Sequence, residues 1–344
     1  MIKELGDIAA AMTARGKGIL AADESTGTIK KRFDSVGVES TETTRRDYRE
    51  MLFRTDAAMR EHIGGVILFD ETIRQKSEDG TPLVEIIRGQ GAVPGIKVDK
   101  GAKPLPNAPG ETVTEGLDGL RERLGEYHGM GARFAKWRAV IDIGRENSPH
   151  VPTAYAIHVN THALARYAAL CQEAGIVPIV EPEVLMDGDH NAARCQEVTE
   201  YVLRRLYGDL AEQGVVLEGT VLKPNMVVPG KQCPDQADIH EVAERTVTTL
   251  RRTVPAAVPG IAFLSGGMSD EDATARLNAM NAGYDVPWRL SFSYGRALQA
   301  APLKAWSGNN ANAPHAQAAF AHRARMNGLA TRGEWRPELE REAA

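Results

Sequence analysis

The segment IVPIVEPE, residues 176–183, opens with consecutive apolar residues and closes on two carboxylates, Glu181 and Glu183. Apolar runs that do not alternate with polar residues are typical of strands buried on both faces of a parallel sheet. The segment VVLEGTVLKP, residues 215–224, shows the same pattern and carries Lys223 near its end. Both segments therefore predict buried parallel strands with charged residues at their C-terminal ends.

Six further apolar runs bring the number of predicted strands to eight. They are GILAAD (18–23), GGVILFD (64–70), VPGIKVD (93–99), ARFAKWRAVI (132–141), GIAFLSGG (260–267) and WRLSFSYG (288–295). Helix-like segments separate the runs, which lie about 30 to 45 residues apart, and this alternation is typical of the α/β class. Eight such units predict a closed parallel sheet, the (β/α)8 TIM barrel.

An open doubly wound sheet is the alternative fold. It requires a glycine-rich phosphate turn directly after the first strand. The segment GKGILA, residues 16–21, fits the dinucleotide-binding pattern, but its glycines precede a strand instead of following one. The closed barrel is therefore the favoured fold.

The length of the chain fits one domain. The sequence has 344 residues, and barrels of this class need about 250. We predict a single barrel domain over 1–344 and assign the surplus to loops, to an N-terminal surface helix over 1–15, and to a C-terminal helix and tail over 306–344. Two internal helices have predicted starts, one capped by Thr114 and one by Asp235 or Asp238.

Composition excludes several classes of partner. The net charge of −5 offers no chain-wide basic field for nucleic acid or anionic membranes. The most apolar stretch is interrupted by Pro255 and Pro259 and is shorter than the ~20 residues of a membrane span. The three cysteines lack CxxC spacing, and no signal peptide is recognisable. We expect a soluble cytoplasmic protein that binds neither nucleic acid nor membranes.

Charged residues end most of the predicted strands, and reactive groups in TIM barrels lie at these ends. Lysines in apolar strands are costly to bury unless they are paired. Ion pairs that only stabilise the barrel are the structural alternative, but five strands deliver charge to one rim, which favours a site. The strand ends carry Asp23 and Glu24, Lys97 and Asp99, Lys136 and Arg138, Glu181 and Glu183, Lys223, Ser265-Gly266-Gly267, and Ser293-Tyr294-Gly295-Arg296.

Lysines and carboxylates without a histidine cluster indicate amine chemistry. Attack on a ketone requires a neutral amine, which desolvation and a second nearby cation can provide. Lys223 has the most apolar approach and is the predicted nucleophile, with Lys136 as its cationic neighbour. A protonated imine withdraws electrons as a metal would, so we predict neither metal nor cofactor.

Two motifs leave a metal-binding alternative open. His158 and His162 are four residues apart on a predicted helix, but the glutamate of an HExxH motif is missing. The segment MDGDH, residues 186–190, is interpreted as a turn and helix cap.

Two phosphate sites are predicted. Backbone N–H groups of Ser265-Gly266-Gly267 precede a helix with a Ser269/Asp272 capping box, and Gly295-Arg296 has the same setting. Lys97 and Arg138 remain on the opposite side, beside Ser25 and Thr28, although Arg138 could be a plain surface charge. This layout predicts a substrate with a phosphate at each end.

These segments resemble class I, Schiff-base-forming fructose-bisphosphate aldolases, in the same order and over about residues 16–305. The resemblance implies reversible cleavage of fructose 1,6-bisphosphate to glycerone phosphate and glyceraldehyde 3-phosphate, in glycolysis or gluconeogenesis, by a lyase that is commonly a homotetramer. The segments are ILAADESTGTIKKR (19–32), LFDET (68–72), GIKVDKG (95–101), FAKWR (134–138), PIVEPE (178–183), LKPNMV (222–227), FLSGGMS (263–269) and FSYGRALQ (292–299).

The resemblance also implies roles for individual residues. Lys223 would form the Schiff base beside Lys136, and Glu181 would be the general acid/base, with Glu183 as partner of the lysines. Asp23 would take the proton from the C-4 hydroxyl. The 1-phosphate would be held by Ser265, Gly266, Gly267, Ser293, Gly295 and Arg296, and the 6-phosphate by Lys97, Arg138, Ser25, Thr28 and Arg32.

Two departures from the family pattern are noted. Thr28 replaces a serine but keeps the hydroxyl. The tail lacks the terminal tyrosine that protonates the enamine in animal members, so we expect a proton source inside the barrel and a solvated tail with Glu338, Glu340 and Glu342. The alternatives are another Schiff-base aldolase or transaldolase, and a non-catalytic scaffold that binds sugar phosphates.

Overall fold

The computed structural model describes residues 2–144 and 151–341. Eight of the ten strands in this part of the chain close into a parallel barrel in the order β1-β2-β3-β6-β7-β8-β9-β10. All eight predicted strands and the TIM-barrel fold are confirmed. The strands are β1 (Gly18–Ala22), β2 (Ile63–Leu68), β3 (Val93–Lys97), β4 (Ala102–Pro104), β5 (Thr112–Thr114), β6 (Phe134–Ile141), β7 (Val177–Val184), β8 (Val221–Leu222), β9 (Gly260–Phe263) and β10 (Arg289–Tyr294).

Helices cover the outside of the barrel and both termini. The described α-helices are α1 (Ile2–Met12), α2 (Thr26–Asp34), α3 (Glu42–Phe53), α4 (Asp56–His62), α5 (Asp70–Arg74), α6 (Leu83–Gly89), α7 (Leu120–Gly129), α8 (Ala154–Glu173), α9 (Ala192–Glu212), α10 (Ile239–Thr253), α11 (Asp270–Gly283), α12 (Arg296–Trp306) and α13 (Ala313–Ala330). Short 3-10 helices lie at Leu217–Gly219, Asn310–Asn312 and Pro337–Glu340. None of the helices described is long and apolar enough to cross a membrane.

The predicted helix start at Thr114 is wrong. Thr114 ends β5, which pairs antiparallel with β4 in a small hairpin outside the barrel. Its hydroxyl donates to the Arg138 carbonyl at 2.7 Å, and a β-branched residue is well suited to such an extended position. Helix α7 begins only after Gly119, whose φ of 65° lies in the left-handed region.

The three other helix starts differ in outcome. Asp238 caps α10 by accepting from the Glu241 N–H at 2.8 Å, as one of the two alternatives predicted. The cap of α9 is Asn191, so the MDGDH segment is a loop but provides no helix cap. Ser269 caps α11 by accepting from the Asp272 N–H at 3.0 Å.

The N-terminal helix closes one end of the barrel. Leu5, Ala9 and Met12 of α1 are at most 3% exposed and pack against interior residues of the strands, among them Phe134 and Val221. The predicted helix is confirmed, but it is more than a surface helix. It forms an apolar plug at the N-terminal ends of the strands.

The C-terminal tail is held against α13. The Glu340 carboxylate accepts from Trp335 Nε1 at 2.9 Å, contacts His322 Nε2 at 2.9 Å and pairs with Arg323. The prediction of a solvated tail is therefore wrong for Glu340, because a buried arginine, 6% exposed, recruits it. Glu338 is exposed as predicted, and Glu342 lies outside the described residues.

Candidate active site

Alternation along the strands places charged side chains at the open end of the barrel. Phe134 of β6 belongs to the plug, and because side chains alternate along a strand, Lys136 and Arg138 point to the same interior. Ile179 and Glu181 of β7 repeat this arrangement. β6 and β7 thus run from an apolar end to a charged end.

All sequence-predicted site residues line one cavity of about 420 Å³ at the C-terminal ends of the strands. They are Asp23, Ser25, Thr28, Arg32, Lys97, Lys136, Arg138, Glu181, Glu183, Lys223, Ser265, Gly266, Gly267, Ser293, Gly295 and Arg296.

Glu181 stands between the two central lysines. Its Oε1 atom lies 3.1 Å from Lys223 Nζ, and its Oε2 atom lies 3.3 Å from Lys136 Nζ. Lys136 also contacts Asp23, with 2.8 Å between Nζ and Oδ2. These side chains are 4 to 12% exposed. The four groups therefore form one continuous chain of charges, Lys223, Glu181, Lys136 and Asp23, shielded from solvent.

The lysines keep both carboxyl groups ionised. Burial raises the pKa of Asp23, but the charges of Lys136 and Lys223 and the hydrogen bond from Lys136 outweigh burial and hold this pKa well below its usual range. Burial raises the pKa of Glu181 as well, but the charges of Lys136 and Lys223 outweigh burial and lower this pKa. Burial lowers the pKa of Lys136, but Asp23 and Glu181 raise it well above the usual lysine range. Lys136 is thus a permanent cation.

Glu183 does not pair with the lysines as predicted. Its carboxylate pairs with Arg138 Nε. Arg138 and Glu183 lie two residues beyond Lys136 and Glu181 on their strands, so they meet one layer closer to the mouth. The Arg138 side chain is 41% exposed, which places its charge at the cavity rim.

The glycine-rich loop after β9 presents its backbone to the cavity. Gly266 and Gly267 have φ values of 54° and 98°, a region that favours glycine. Ser265 is buried beside them, and the buried Oγ atom of Ser293 has no hydrogen-bond partner within residues 2–144 and 151–341. Backbone N–H groups of such a loop, together with a hydroxyl that faces the cavity, suit an anion.

Two further cations of the cavity, Lys97 and Arg32, differ in their position relative to this loop. Lys97 Nζ is 3.3 Å from Asp99 Oδ1, and the Ser25 and Thr28 hydroxyls are 3.1 Å apart. Arg32 pairs with Glu24 and lies 3.3 Å from the position of a Cβ on Gly295. Arg32 therefore borders the loop predicted for the other phosphate.

Of the two motifs considered for metal binding, the histidine pair lies outside the cavity, and the MDGDH segment contributes Asp187 to the cavity wall. His158 and His162 are exposed on α8. Among residues 2–144 and 151–341, no group of three potential ligands is arranged to hold a metal ion.

Sequence reasoning missed one cation. Lys231 lines the cavity and pairs with Asp187 at 2.7 Å. Lys231 follows the predicted strand over residues 215–224 by seven residues, so a search of the strand ends alone does not include it.

Fold and site together define a (β/α)8-barrel enzyme with a buried lysine–carboxylate centre. The family model for class-I fructose-bisphosphate aldolase matches residues 4–344. A probable class 1 fructose-bisphosphate aldolase of Xanthomonas campestris is 58% identical over 336 residues, covering 97% of this chain and 99% of the relative. Human fructose-bisphosphate aldolase C is 55% identical, with coverages of 97% and 91%.

A solved structure is also similar. It is fructose-bisphosphate aldolase from Plasmodium falciparum, in complex with TRAP and a small-molecule inhibitor, with a TM-score of 0.94, 48% identity and coverages of 97% and 96%. The chain belongs to the class I fructose-bisphosphate aldolase family. It is a lyase that cleaves fructose 1,6-bisphosphate reversibly through a lysine Schiff base.

Proposed function

We propose that Lys223 forms the Schiff base and that Glu181 moves the protons this requires. The supporting observation is the contact of 3.1 Å between Lys223 Nζ and Glu181 Oε1 inside the barrel. A carboxylate at this distance accepts the proton that the ammonium must lose before its nitrogen can attack. Lys136, which is tied to both Asp23 and Glu181, serves as the neighbouring cation.

The first half of the reaction builds the imine. Glu181 takes one proton from the Lys223 ammonium group, and the neutral nitrogen attacks the C-2 carbonyl carbon. The carbonyl oxygen then receives a second proton from the same nitrogen and becomes a hydroxyl group. Glu181 returns its proton to this hydroxyl, which leaves as water, and the nitrogen lone pair forms the C=N bond. The positive iminium then draws electrons towards C-2.

The second half breaks the carbon–carbon bond. Asp23, ionised because Lys136 and Lys223 lower its pKa, accepts the C-4 hydroxyl proton. The C-3–C-4 bond electrons move to the iminium, which becomes an enamine, and glyceraldehyde 3-phosphate leaves. We assign protonation of C-3 to water within the barrel or to Glu181 after it has taken up a proton from water, and Asp23 returns its proton to solvent. Hydrolysis of the imine then releases glycerone phosphate.

The two phosphates are assigned to opposite sides of the cavity. Backbone and hydroxyl donors that line the cavity support the 1-phosphate on Ser265, Gly266, Gly267, Ser293, Gly295 and Arg296. Lys97 of β3 and Arg138 of β6, which lie across the barrel from β9 and β10, support the 6-phosphate on that side. Ser25 and Thr28 follow β1, which neighbours β10, and their hydroxyls are assigned to the same phosphate. Arg32 is also assigned to the 6-phosphate. It borders Gly295 and therefore lies between the two phosphate sites.

Assembly and location complete the proposal. We propose a homotetramer in the cytoplasm, as the family resemblance implies, and the three cysteines, which are buried and unpaired, suit a reducing compartment. Light scattering should give about four times the 37.3 kDa chain mass. A monomer mass at micromolar concentration would contradict the tetramer.

Borohydride trapping tests the chemistry. Borohydride added with glycerone phosphate should inactivate the protein irreversibly and leave a reduced adduct on Lys223, found by peptide mapping. Lys223→Met should take no label, whereas Lys136→Met should take it more slowly at the same position. A chelator should leave cleavage intact. A label on Lys136 in the unmodified protein would refute the assignment.

A further inference from the structure

Lys231 is a cation of the cavity wall that the proposed mechanism does not use. It lies in the loop that follows β8, and its side chain lines the same cavity as Ser265, Gly267 and Arg296. A second residue of the wall, Asp187, holds its ammonium group at 2.7 Å between Oδ1 and Nζ.

The backbone fixes where Lys231 stands. The N–H groups of residues 230, 231 and 232 donate to carbonyls of residues 190, 186 and 188 at 2.7 to 2.9 Å. At Gly230 an added Cβ would lie 2.2 Å from the Gly188 carbonyl oxygen, so the two loops approach as closely as only glycine permits. Hydrogen bonds therefore join the loops after β7 and β8, and they fix the backbone position of Lys231.

The Lys231 side chain reaches the glycine-rich loop. Its Nζ atom lies 3.0 Å from the position that a Cβ on Gly267 would occupy, and Arg296 Nη2 lies 3.6 Å from the same position. Two cations thus flank one face of Gly267, with Asp187 as the partner that holds Lys231 there. Within the part of the chain that the structure describes, Arg296 forms no salt bridge, so one positive charge there lies beside donors that suit an anion.

The Lys231–Asp187 pair can exchange partners. The two side chains are 42% and 55% exposed, and ion pairs with this exposure are weak because water screens them. A phosphate dianion on Gly267 offers the ammonium group a stronger partner than a single carboxylate does.

We propose that Lys231 binds the substrate phosphate held by the Ser265–Gly267 loop, as a third arm beside Arg296 and the backbone N–H groups. This inference rests on the proposed function, because the identity of that phosphate as the 1-phosphate comes from it. Asp187 keeps the ammonium group over Gly267 in the free enzyme and yields it when phosphate arrives.

The test compares Lys231→Met with Lys231→Arg, and Lys3→Met, an exposed lysine of α1, is the matched control. Calorimetry measures binding of inorganic phosphate and of glycerone phosphate, which requires no turnover. Lys231→Met should weaken both ligands about 5- to 20-fold, as expected for one exposed charge-assisted contact. Lys231→Arg and Lys3→Met should stay within about threefold of the unmodified protein.

Steady-state kinetics adds a second prediction. KM for fructose 1,6-bisphosphate and fructose 1-phosphate should rise by the same factor in Lys231→Met, with kcat changed by less than about threefold, because uniform binding is lost. The dependence of phosphate affinity on salt should also become shallower.

Asp187→Asn separates ligand binding from a purely structural link between the loops. If Lys231 binds phosphate, Asp187→Asn binds it at least as tightly as the unmodified protein, since a competing carboxylate is gone. If the pair only joins the loops, Asp187→Asn loses as much affinity as Lys231→Met, which would overturn the proposal. Unchanged phosphate affinity in Lys231→Met would overturn it too. Failure of borohydride trapping in the unmodified protein refutes the proposed function instead, and the phosphate titrations still decide the role of Lys231.

Discussion

At the residue scale, one buried carboxylate shared by two ammonium groups organises the site. Glu181 is close enough to Lys223 to exchange a proton and close enough to Lys136 to remain ionised when it has lost one. Because Lys136 also holds Asp23, one cation prepares both carboxyl groups for separate steps. Removing that cation should change the acid–base behaviour of both.

Lys136→Met is expected to move the acid limb of the pH profile upward. Without Lys136, burial again raises the pKa of Asp23 and Glu181, so both take up protons at higher pH than in the unmodified protein. We expect kcat/KM near pH 7 to fall by about 10²-fold or more. The measurement is kcat/KM from pH 5 to 9. An unchanged acid limb would show that Lys136 does not set these protonation states.

The same charges predict how acid affects folding. Asp23 has a folded-state pKa below its ordinary value of 3.8, so its ionised form contributes stability that is complete above about pH 4 and declines as pH falls below it. Glu181 behaves likewise below its ordinary 4.5. In Lys136→Met this acid-sensitive contribution should shrink, so unfolding free energies measured from pH 3 to 7 should depend less steeply on pH. A slope equal to that of the unmodified protein would contradict the linkage.

The two phosphate assignments make different predictions for two sugars. Arg296→Ala should weaken fructose 1,6-bisphosphate and fructose 1-phosphate alike, since both carry the 1-phosphate. Lys97→Ala should impair the bisphosphate selectively, by about 1.5 to 3 kcal/mol in kcat/KM if a charge-assisted contact is lost. Equal losses for both sugars in Lys97→Ala would remove Lys97 from the 6-phosphate site.

Residue types predicted which groups meet but not every pair. The rule that reactive groups lie at the C-terminal ends of barrel strands was sufficient to place Lys136, Glu181 and Lys223 at one rim. The partner of Glu183 was missed because a lysine and an arginine are equally plausible on charge alone. Only the relative height of Arg138 and Glu183 in the barrel decides between them, and height depends on the register of neighbouring strands.

At the scale of the elements, long apolar runs were the reliable signal and short polar pairings were not. The barrel strands are rich in hydrophobic residues that do not alternate with polar ones, so their burial on both faces is visible in the sequence. The hairpin strands β4 and β5 have three residues each. β4 is exposed and β5 is partly buried, so neither strand shows such a pattern. The tail packs against α13 through Arg323. The sequence of the tail alone does not contain this residue and so cannot predict the contact.

Glu340→Gln tests whether the tail contributes to stability without contributing to catalysis. The change leaves buried Arg323 without its carboxylate, and we expect a loss of about 2 to 4 kcal/mol in unfolding free energy. Bisphosphate cleavage should stay within about tenfold, because no described residue of the tail lines the cavity. Glu338→Gln, on an exposed neighbour, is the control. A hundredfold loss of cleavage in folded Glu340→Gln would mean that the tail supplies a catalytic group.

At the scale of the whole molecule, the barrel separates packing from chemistry along its axis. One end is filled by apolar side chains, including Ile19, Ile67 and Ile179, and is closed by α1. The other end holds the charge chain of Lys223, Glu181, Lys136 and Asp23. Burying charges costs free energy unless they are paired, and burial of apolar side chains at the packed end offsets part of that cost.

Leu5→Ala tests this separation. Leu5 of α1 is 3% exposed and packs into the apolar plug, so its truncation should lower the unfolding free energy by about 2 to 5 kcal/mol. KM and kcat for fructose 1,6-bisphosphate should remain within about twofold at temperatures where the protein is folded, because the plug and the charge chain occupy opposite ends of the strands. Urea unfolding and steady-state kinetics measure the two quantities on the same preparation. Ile2→Ala, on a side chain that is 56% exposed, should change stability by no more than about 0.5 kcal/mol. If Leu5→Ala instead lowers kcat about tenfold without unfolding, the plug sets the geometry of the charged end, and the two halves of the barrel are coupled.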